Sequence, residues 1–332
     1  MKKIMLEAQV QKEYDAKVLE LAAAIQDGSK SSFLSAQMVT ELMNEPYDAE
    51  LPVNDVGADT AEYKSVMPGM TVEYFVQDVN AKTVYTISAG VVTQVPVTPK
   101  TPTTLALDVY AAPEDYLTIN SMLTQKYDSL AEKAADQYEA LNRLEQKALI
   151  DLYFAAAEDE KNVFTNVSGS SVITFPVLVD MGASLAKYGK NNLVLIAGSD
   201  VSRDIKLMDY FEDKNRELVP AKAGINKVIS VENYQFTHSG TQTVMPTDRA
   251  LLVATSDSQK NRPAIFARRR IPVNTDAKER AIFAKDLDVH MVGAVPTLAY
   301  KIITVGSFGA AVTNPKCFAA YQKADTYVNL IS

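Results

Sequence analysis

The sequence is poor in the residues from which most catalytic and metal sites are built. Its 332 residues include one cysteine, Cys317, and two histidines, His238 and His290. A single cysteine excludes an internal disulfide and a thiolate metal cluster. His290 alternates with Val289 and Met291 in a strand-like stretch, which favours a surface or interface side chain. We predict that the protein is not an enzyme, and we assign it no catalytic, cofactor-binding or metal-binding residue and no cofactor.

Familiar catalytic motifs are also missing: no GxSxG, GxGxxG, HExxH, CxxC or EF-hand sequence occurs. The segment GASLAKYGKNN (182–192) is only superficially like a phosphate loop, because six residues separate its glycines and Asn191 stands where a magnesium-binding Ser or Thr is needed. The carboxylates at 158–160 are interpreted as a solvated helix end. An α+β enzyme with an unrecognised site among the carboxylates stays an alternative.

Long apolar runs and an excess of basic charge are absent as well. No run approaches the roughly 20 apolar residues that span a bilayer. The basic start MKKIM is followed by Glu7, Gln9 and Gln11, which interrupt any signal-peptide core. The 41 acidic and 33 basic residues give a net charge of −8, which argues against a chain-wide nucleic-acid-binding surface. We expect a soluble, intracellularly made protein with no membrane partner.

What is present is a globular composition, 47% hydrophobic and 22% charged, with enough chain for two domains or one elaborated domain. Residues 4–26 have apolar positions at roughly helical spacing. Residues 28–65 are mixed and rich in turn formers, which predicts an arm and not part of a domain core.

From Thr71 the hydrophobic period changes to two. TVEYFVQD and TVYTIS are typical of strands separated by a turn at 80–82, and LALDVY (105–110) is strand-like again. Between them VVTQVPVTPKTPTT carries three prolines in seven positions, which remove backbone donors and limit uncontrolled strand pairing. The pattern predicts a long, extended two-stranded loop.

A long helical pattern follows, with Pro113, Glu114 and Asp115 as a predicted entry. Apolar residues recur every three or four positions to about Glu158, so about 45 residues would give a rod on the order of 65 Å. A coiled coil or a helical-bundle strut is one explanation. The apolar seam uses Tyr and Ala as much as Leu, which favours a helix that lies on a sheet.

The second half alternates between strand and helix patterns. FPVLVDMGASLAKYG predicts a strand or turn and then a helix, NNLVLIAGSD a buried strand, and VSRDIKLMDYFEDK a helix with Asp200 and Ser202 as possible caps. Four further stretches are strand-like: KVISVENYQF, ALLVATSD, PAIFARRRIPV and DVHMVGAVPTLAYKIITVGS. Within the third, Arg268 and Arg270 should face one way and Arg269 the other, and we predict that they form salt bridges between subunits.

The order of these elements resembles the major capsid proteins of tailed bacteriophages, the Hong Kong 97-type capsid fold. TISAGVVTQVPVTPKTPTTLALDVYAAPEDYLTIN resembles the extended loop of that family entering its spine helix. LVLIAGSDVSRDIKLMDYF is similar to the strand and helix of its axial domain, and IPVNTDAKERAIFAKDLDVHMVGAVPTLAYKIITVG to its closing peripheral-domain strands.

The resemblance implies an α+β fold in five parts, which are an N-terminal helix and arm (1–65), an extended β-hairpin loop (66–110), a spine helix with the first part of a peripheral domain (111–175), an axial domain (176–262) and returning peripheral-domain strands (263–332). It implies a virion structural protein, assembled in the host bacterial cytoplasm, that forms the hexamers and pentamers of an icosahedral shell around double-stranded DNA.

The partners implied are the protein itself, scaffold and portal proteins, possibly decoration proteins, and packaged DNA contacted only non-specifically. An encapsulin-like nanocompartment shell, which would need a groove for cargo peptides, and a tail-tube or other virion component are alternatives within structural proteins.

Overall fold

The described part of the chain begins with a helical stretch within residues 16–24. In the computed structural model the described residues are 16–17, 19–21, 23–24, 32–44, 54–76, 102–112, 114–118, 128–166, 172–186, 192–211, 219–231, 235–237, 241–258, 261–273, 276–292 and 295–323.

Helices and strands both occur throughout the described residues. The helices are α1 (Ser32–Asn44), α2 (Asp55–Thr60), α3 (Asp128–Asp159), α4 (Phe175–Ala186), α5 (Ser199–Phe211) and α6 (Val219–Lys222), with a 3-10 turn at Pro315–Cys317. The strands are β1 (Ala61–Val66), β2 (Val72–Tyr74), β3 (Thr103–Leu105), β4 (Asp108–Ala111), β5 (Asp115–Thr118), β6 (Val163–Thr165), β7 (Asn192–Ala197), β8 (Lys227–Ser230), β9 (Gln235–Thr237), β10 (Thr241–Thr243), β11 (Arg249–Thr255), β12 (Ala264–Arg269), β13 (Ile271–Val273), β14 (Asp276–Lys278), β15 (Arg280–Val292), β16 (Val295–Val312) and β17 (Phe318–Gln322). The prediction of an α+β chain is confirmed.

The larger sheet is organised around the long strand β16. Along one edge β16 pairs first with β15 and then with β12, and along the other edge with β5 and β4. Strand β1 adds to β12 in parallel. Helix α3 packs on one face of this sheet, and the short β2–β3 hairpin packs on the other.

A five-stranded sheet in the order β6-β17-β11-β7-β8 forms the second layer, with β11 at its centre. Strands β7 and β11 are almost continuously apolar and buried, as expected for strands covered on both faces. The amphipathic helices α4 and α5 lie against it with Leu178, Met181 and Ile205 in the shared core. The strand and helix predicted at 192–211 are therefore confirmed.

Two predictions for the first third of the chain are wrong. Residues 28–65 are not a loop-rich arm throughout, because they include α1, α2 and most of β1, and Val56 and Ala61 lie in the main core. Helix α2 has an N-cap, because the side chain of Asn54 accepts a hydrogen bond from the N–H of Gly57. Among the turn-forming residues that are described, Asn54 caps this helix and Gly57 lies inside it.

The predicted helix entry at Pro113–Asp115 is also wrong. Residues Asp115–Thr118 form β5, which pairs with Ala299–Ile302 of β16. Burial of Leu117 against Tyr300 outweighs the helix-start signal, because the strand places its one apolar side chain in a core. The described long helix runs from Asp128 to Asp159, about 48 Å at 1.5 Å per residue.

Smaller differences concern helix starts in the second half. The segment at 175–186 is helical from Phe175, with no strand or turn in its first residues. Helix α5 already includes Asp200 and Ser202, so neither is its cap; Asp200 lies in the first turn, where an acid suits the helix dipole. Ser202 instead shares a hydrogen bond of 2.6 Å with Ser230 at the end of β8.

Candidate functional site: a buried charged junction and a projecting hairpin

Strand register places two arginines side by side on the larger sheet. Arg268 on β12 is paired with Phe308 of β16, and Arg280 on β15 is paired with Gly306. Phe308 and Gly306 are two residues apart, so both arginines stand on the same face of the sheet. Between the two arginines the chain leaves the sheet, forms the small β13–β14 hairpin and returns to the sheet. Strands β12 and β15 therefore follow one another along the same edge of β16.

Helix α3 supplies the opposite charge. Its buried positions follow helical spacing and include an acid: Ala134, Tyr138, Leu141, Glu145 and Leu149. Glu145 therefore points at the sheet from the apolar side of the helix.

Glu145 binds both arginines. Its Oε2 lies 2.7 Å from Nη2 of Arg268 and 2.8 Å from Nη2 of Arg280, and its Oε1 accepts a hydrogen bond of 3.1 Å from Nε of Arg268. The side chains of Glu145 and Arg268 are only 2% and 1% exposed. The carboxylate therefore makes a bidentate contact with the guanidinium of Arg268 and a single contact with that of Arg280, and these contacts are buried.

A second acid balances the charge. Glu279, at the end of the β13–β14 excursion, lies 3.2 Å from Nη1 of Arg268 and accepts a hydrogen bond from the Tyr63 hydroxyl. The guanidinium of Arg268 also lies over the rings of Tyr63 and Phe266, at 5.7 and 5.5 Å. Two acids and two arginines make the cluster formally neutral.

The electrostatics follow from burial and pairing. Burial would raise the pKa of Glu145, but the charges of Arg280 and Arg268 outweigh it and hold that pKa below its ordinary value. Burial would lower the pKa of Arg268, and Glu145 more than reverses this. Burial, with the neighbouring Glu279, raises the pKa of Tyr63. The charges of Glu145 and Arg268 and the Tyr63 proton are therefore retained at neutral pH.

Close approach of helix and sheet depends on Gly306. A Cβ at this position would lie 3.2 Å from Cδ1 of Leu141 and 3.6 Å from Cγ of Arg280. Closer to the start of α3, Nη1 of Arg280 donates a hydrogen bond of 2.8 Å to the carbonyl of Tyr138. One helix is thus fixed to two strands by charge, by backbone contact and by packing.

The β2–β3 hairpin lies on the reverse face of the same sheet. Val72 pairs with Leu105, and both are buried against Ile265 and Ala311. Ile265 alternates with Phe266 on β12, so the hairpin and α3 pack on opposite sides. Residues 75–102 connect the two short strands. Positions 77–101, including the predicted strand TVYTIS, the predicted turn and Pro96 and Pro99, lie outside the described residues, so the extended loop stays a prediction.

Apolar side chains at the hairpin base face solvent. Met67 and Met70, in the turn before β2, and Phe75 and Val76, after it, are 46–60% exposed. Four large exposed apolar residues close together in sequence are typical of a contact surface.

The other residues considered from sequence are accounted for as follows. Cys317 is fully buried in the core beside β17, and Glu158, Asp159 and Glu160 are exposed at the end of α3. His290 lies on β15, as predicted, and His238 lies outside the described residues. The described residues contain no group of three potential metal ligands, and no described helix is long and apolar enough to cross a membrane.

The arginine triplet was only partly understood from sequence. Arg268 does not bridge subunits, because it is saturated within the chain by Glu145 and Glu279. Arg270, just beyond β12, donates to the Ser65 hydroxyl at 3.0 Å. The sequence signal for Glu145 was available: it stands four residues after Leu141 and four before Leu149, at a position where the helical period requires a core residue.

Comparison with known proteins gives a likeness of structure but not of sequence. No family model matches the chain, and no curated protein matches it. A structure from Mycobacterium phage Adephagia matches with a TM-score of 0.52 and 13% identity, over 85% of this chain and 94% of that chain.

Two further solved structures match to the same degree. The mature capsid of bacteriophage PhiM1 has a TM-score of 0.51 and 10% identity, with 84% of this chain and 90% of that chain covered. A phage-related protein from Bordetella bronchiseptica has a TM-score of 0.51 and 10% identity, with 85% and 96% covered. At such identities the likeness concerns the backbone, and the chain has the α+β fold of tailed-phage capsid proteins, the Hong Kong 97-type fold.

Proposed function

We propose that this protein is a major capsid protein whose copies assemble, as hexamers and pentamers, into an icosahedral shell around double-stranded DNA. The observation that carries the proposal is the match to the PhiM1 mature capsid over 84% of this chain and 90% of that one. A fold shared over this much of both chains supports a structural role.

The described geometry supports this role mechanically. The charged junction binds α3 to β12 and β15, so the helix and the larger sheet behave as one stiff plate. The β2–β3 hairpin packs on the opposite face of that plate, with exposed apolar side chains beside it. A rigid plate with an exposed apolar surface can bind a neighbouring copy without changing its own conformation.

The finer assignments are part of the same proposal. The chain divides into an N-terminal segment (1–65), whose last residues belong to the main core, an extended loop (66–110), a spine helix region (111–175), an axial domain (176–262) and returning peripheral strands (263–332). Assembly takes place in the host bacterial cytoplasm, with scaffold and portal proteins and possibly decoration proteins as partners. The protein catalyses no reaction and contacts packaged DNA only non-specifically, at the DNA phosphates.

The proposal is tested by expressing the chain alone and with the scaffold candidate encoded beside it, and measuring particle mass by size-exclusion chromatography with light scattering. Closed particles of uniform mass in either case support a shell protein. A stable monomer or dimer under every condition contradicts it. Cargo protein in place of DNA inside native particles would favour the nanocompartment alternative.

A further inference from the structure

The outer edge of strand β15 is covered by side chains of helix α1 where a neighbouring strand would otherwise pair. The side-chain amide of Asn44 accepts a hydrogen bond of 3.1 Å from the N–H of Ile282 and donates one of 2.7 Å to the carbonyl of the same residue. The Thr40 hydroxyl accepts a hydrogen bond of 2.9 Å from the N–H of Ala284.

These three bonds occupy the groups that a strand would use. In an antiparallel ladder the N–H and C=O of alternate residues point to the same edge, and Ile282 and Ala284 are two residues apart. The amide of Asn44 presents one donor and one acceptor, as a peptide group does. One step earlier, the Tyr138 hydroxyl lies 3.4 Å from the carbonyl of Arg280. Side chains from two helices thus replace a strand along 280–284.

The cover is part of a packed core. Asn44 and Thr40 are 2% and 8% exposed, and Met43 beside them packs in a buried cluster that includes Ile282. The Lys278 ammonium donates a hydrogen bond of 3.0 Å to the carbonyl of Asn44, which holds the C-terminal end of α1 in place. The side chains are therefore held in place by packing and do not depend on a partner molecule.

We propose that Asn44 and Thr40 form an edge seal, which prevents β15 from pairing with a strand of a second copy of this chain. Strand edges with unpaired N–H and C=O groups are templates for adding another strand. β15 is 13 residues long and lies at the side of the larger sheet, so pairing there would join subunits sheet to sheet. The seal confines self-association to other surfaces.

The test removes the polar groups while keeping the shape of the side chains, in the double variant Asn44→Leu/Thr40→Val. Residue-resolved hydrogen exchange is measured on the isolated chain across a concentration series. In dilute solution the Ile282 and Ala284 amides should exchange about tenfold faster than in the parent, the factor for roughly one lost hydrogen bond. At high concentration the same amides should become protected again while light scattering records oligomers. Thr40→Ser, which keeps the hydroxyl, and Gln37→Ala, on the exposed face of α1, should behave as the parent.

Parent-like exchange at both amides, or faster exchange with no oligomer at any concentration, overturns the proposal. If the double variant loses the helix altogether, Thr40→Val alone decides. In this variant the amide hydrogen of Ala284 should exchange faster than in the parent, while the amides of residues 36–43 stay protected. Unchanged exchange at Ala284 overturns the proposed edge seal. Failure of the chain to build shells does not alter these readouts, which concern the free subunit.

Discussion

At the scale of single residues, the fold depends most on an acid in a place where an apolar side chain is the norm. Glu145 is held between Arg268 and Arg280, both buried, and Glu279 brings the group to neutrality. A buried ion pair adds little net stability over an apolar replacement of the whole group, but removing one partner leaves buried charge without compensation. The junction therefore fixes the position of α3, because a displacement of the helix would leave buried charges without their partners and lower the stability of the fold.

Replacing Glu145 by Gln should destabilise the protein by about 3–5 kcal/mol, because two guanidinium groups lose their shared counter-charge. The change is measured as a shift in the midpoint of chemical denaturation. Glu139→Gln is the matched control, since its pair with Arg143 lies on the solvent side of the same helix and should cost at most about 1 kcal/mol. Equal losses for the two variants would contradict this account of the junction.

The junction should also weaken in acid. The folded-state pKa of Glu145 is lowered from its ordinary value of 4.5, so its contribution is present above that pH and is lost as pH falls through the folded-state pKa. The stability gap between the parent and Glu145→Gln should be constant above pH 4.5 and should narrow below it. Denaturation midpoints taken from pH 7 downward check this. A gap that holds or widens in acid would mean that the carboxylate is not the stabilised form.

At the scale of elements, the two faces of the larger sheet have separate tasks. Strand β12 shows the division most plainly: Phe266 and Arg268 face α3, whereas Ile265 and Ala267 face the β2–β3 hairpin. The hairpin leg comes very close at Gly309, where a Cβ would lie 2.1 Å from the carbonyl oxygen of Ala106. Glycine is needed there because backbone occupies the space of any side chain.

Gly309→Ala should displace the link between β3 and β4 and cost about 1–3 kcal/mol, the usual range for overpacking. Thermal unfolding measures the loss, and hydrogen exchange should localise it to residues 103–111. Ser307→Ala, two positions away on β16, adds no atom and should stay close to the parent. A variant with parent-like stability and unchanged exchange in that segment would show that the hairpin leg is free to move.

Deleting residues 80–101 should leave a folded subunit that no longer forms closed particles. The β2–β3 base can remain, since Val72 and Leu105 are buried against the sheet whatever connects them. Circular dichroism and light scattering separate folding from assembly. An equally long Gly/Ser replacement of the same residues is the control for length and should also fail to close. Normal shells from either variant would remove the loop from the proposed mechanism.

At the scale of the whole molecule, long-period patterns predicted well and local end signals did not. The long helix predicted to end near Glu158, the strand and helix predicted at 191–214 and the closing strands have consistent periodicity over many residues. The helix is confirmed over 128–159 and the strand and helix over 192–211. Pro113–Asp115 has the local features of a helix start, but burial of Leu117 in a distant core decided its structure. Likewise Arg268 and Glu145 are 123 residues apart, so their pairing depends on strand register and helix packing that no short motif encodes.

Net charge sets the expectation for nucleic acid. With a formal charge of −8 the subunit should bind duplex DNA weakly and without base readout. Fluorescence anisotropy with a labelled duplex should detect no binding at physiological ionic strength. Submicromolar binding under these conditions would show that the charge is distributed far less evenly than its total suggests.

The most direct measurement is electron cryo-microscopy of particles purified after expression together with the genes that flank the gene of this chain. The account predicts icosahedral shells built from five- and six-fold clusters of this chain, with α3 and the larger sheet keeping the packing described here. It also predicts that the β2–β3 hairpin of each subunit lies across an adjacent one. Particles without icosahedral symmetry, or shells whose wall is made of another protein, would contradict the central claim.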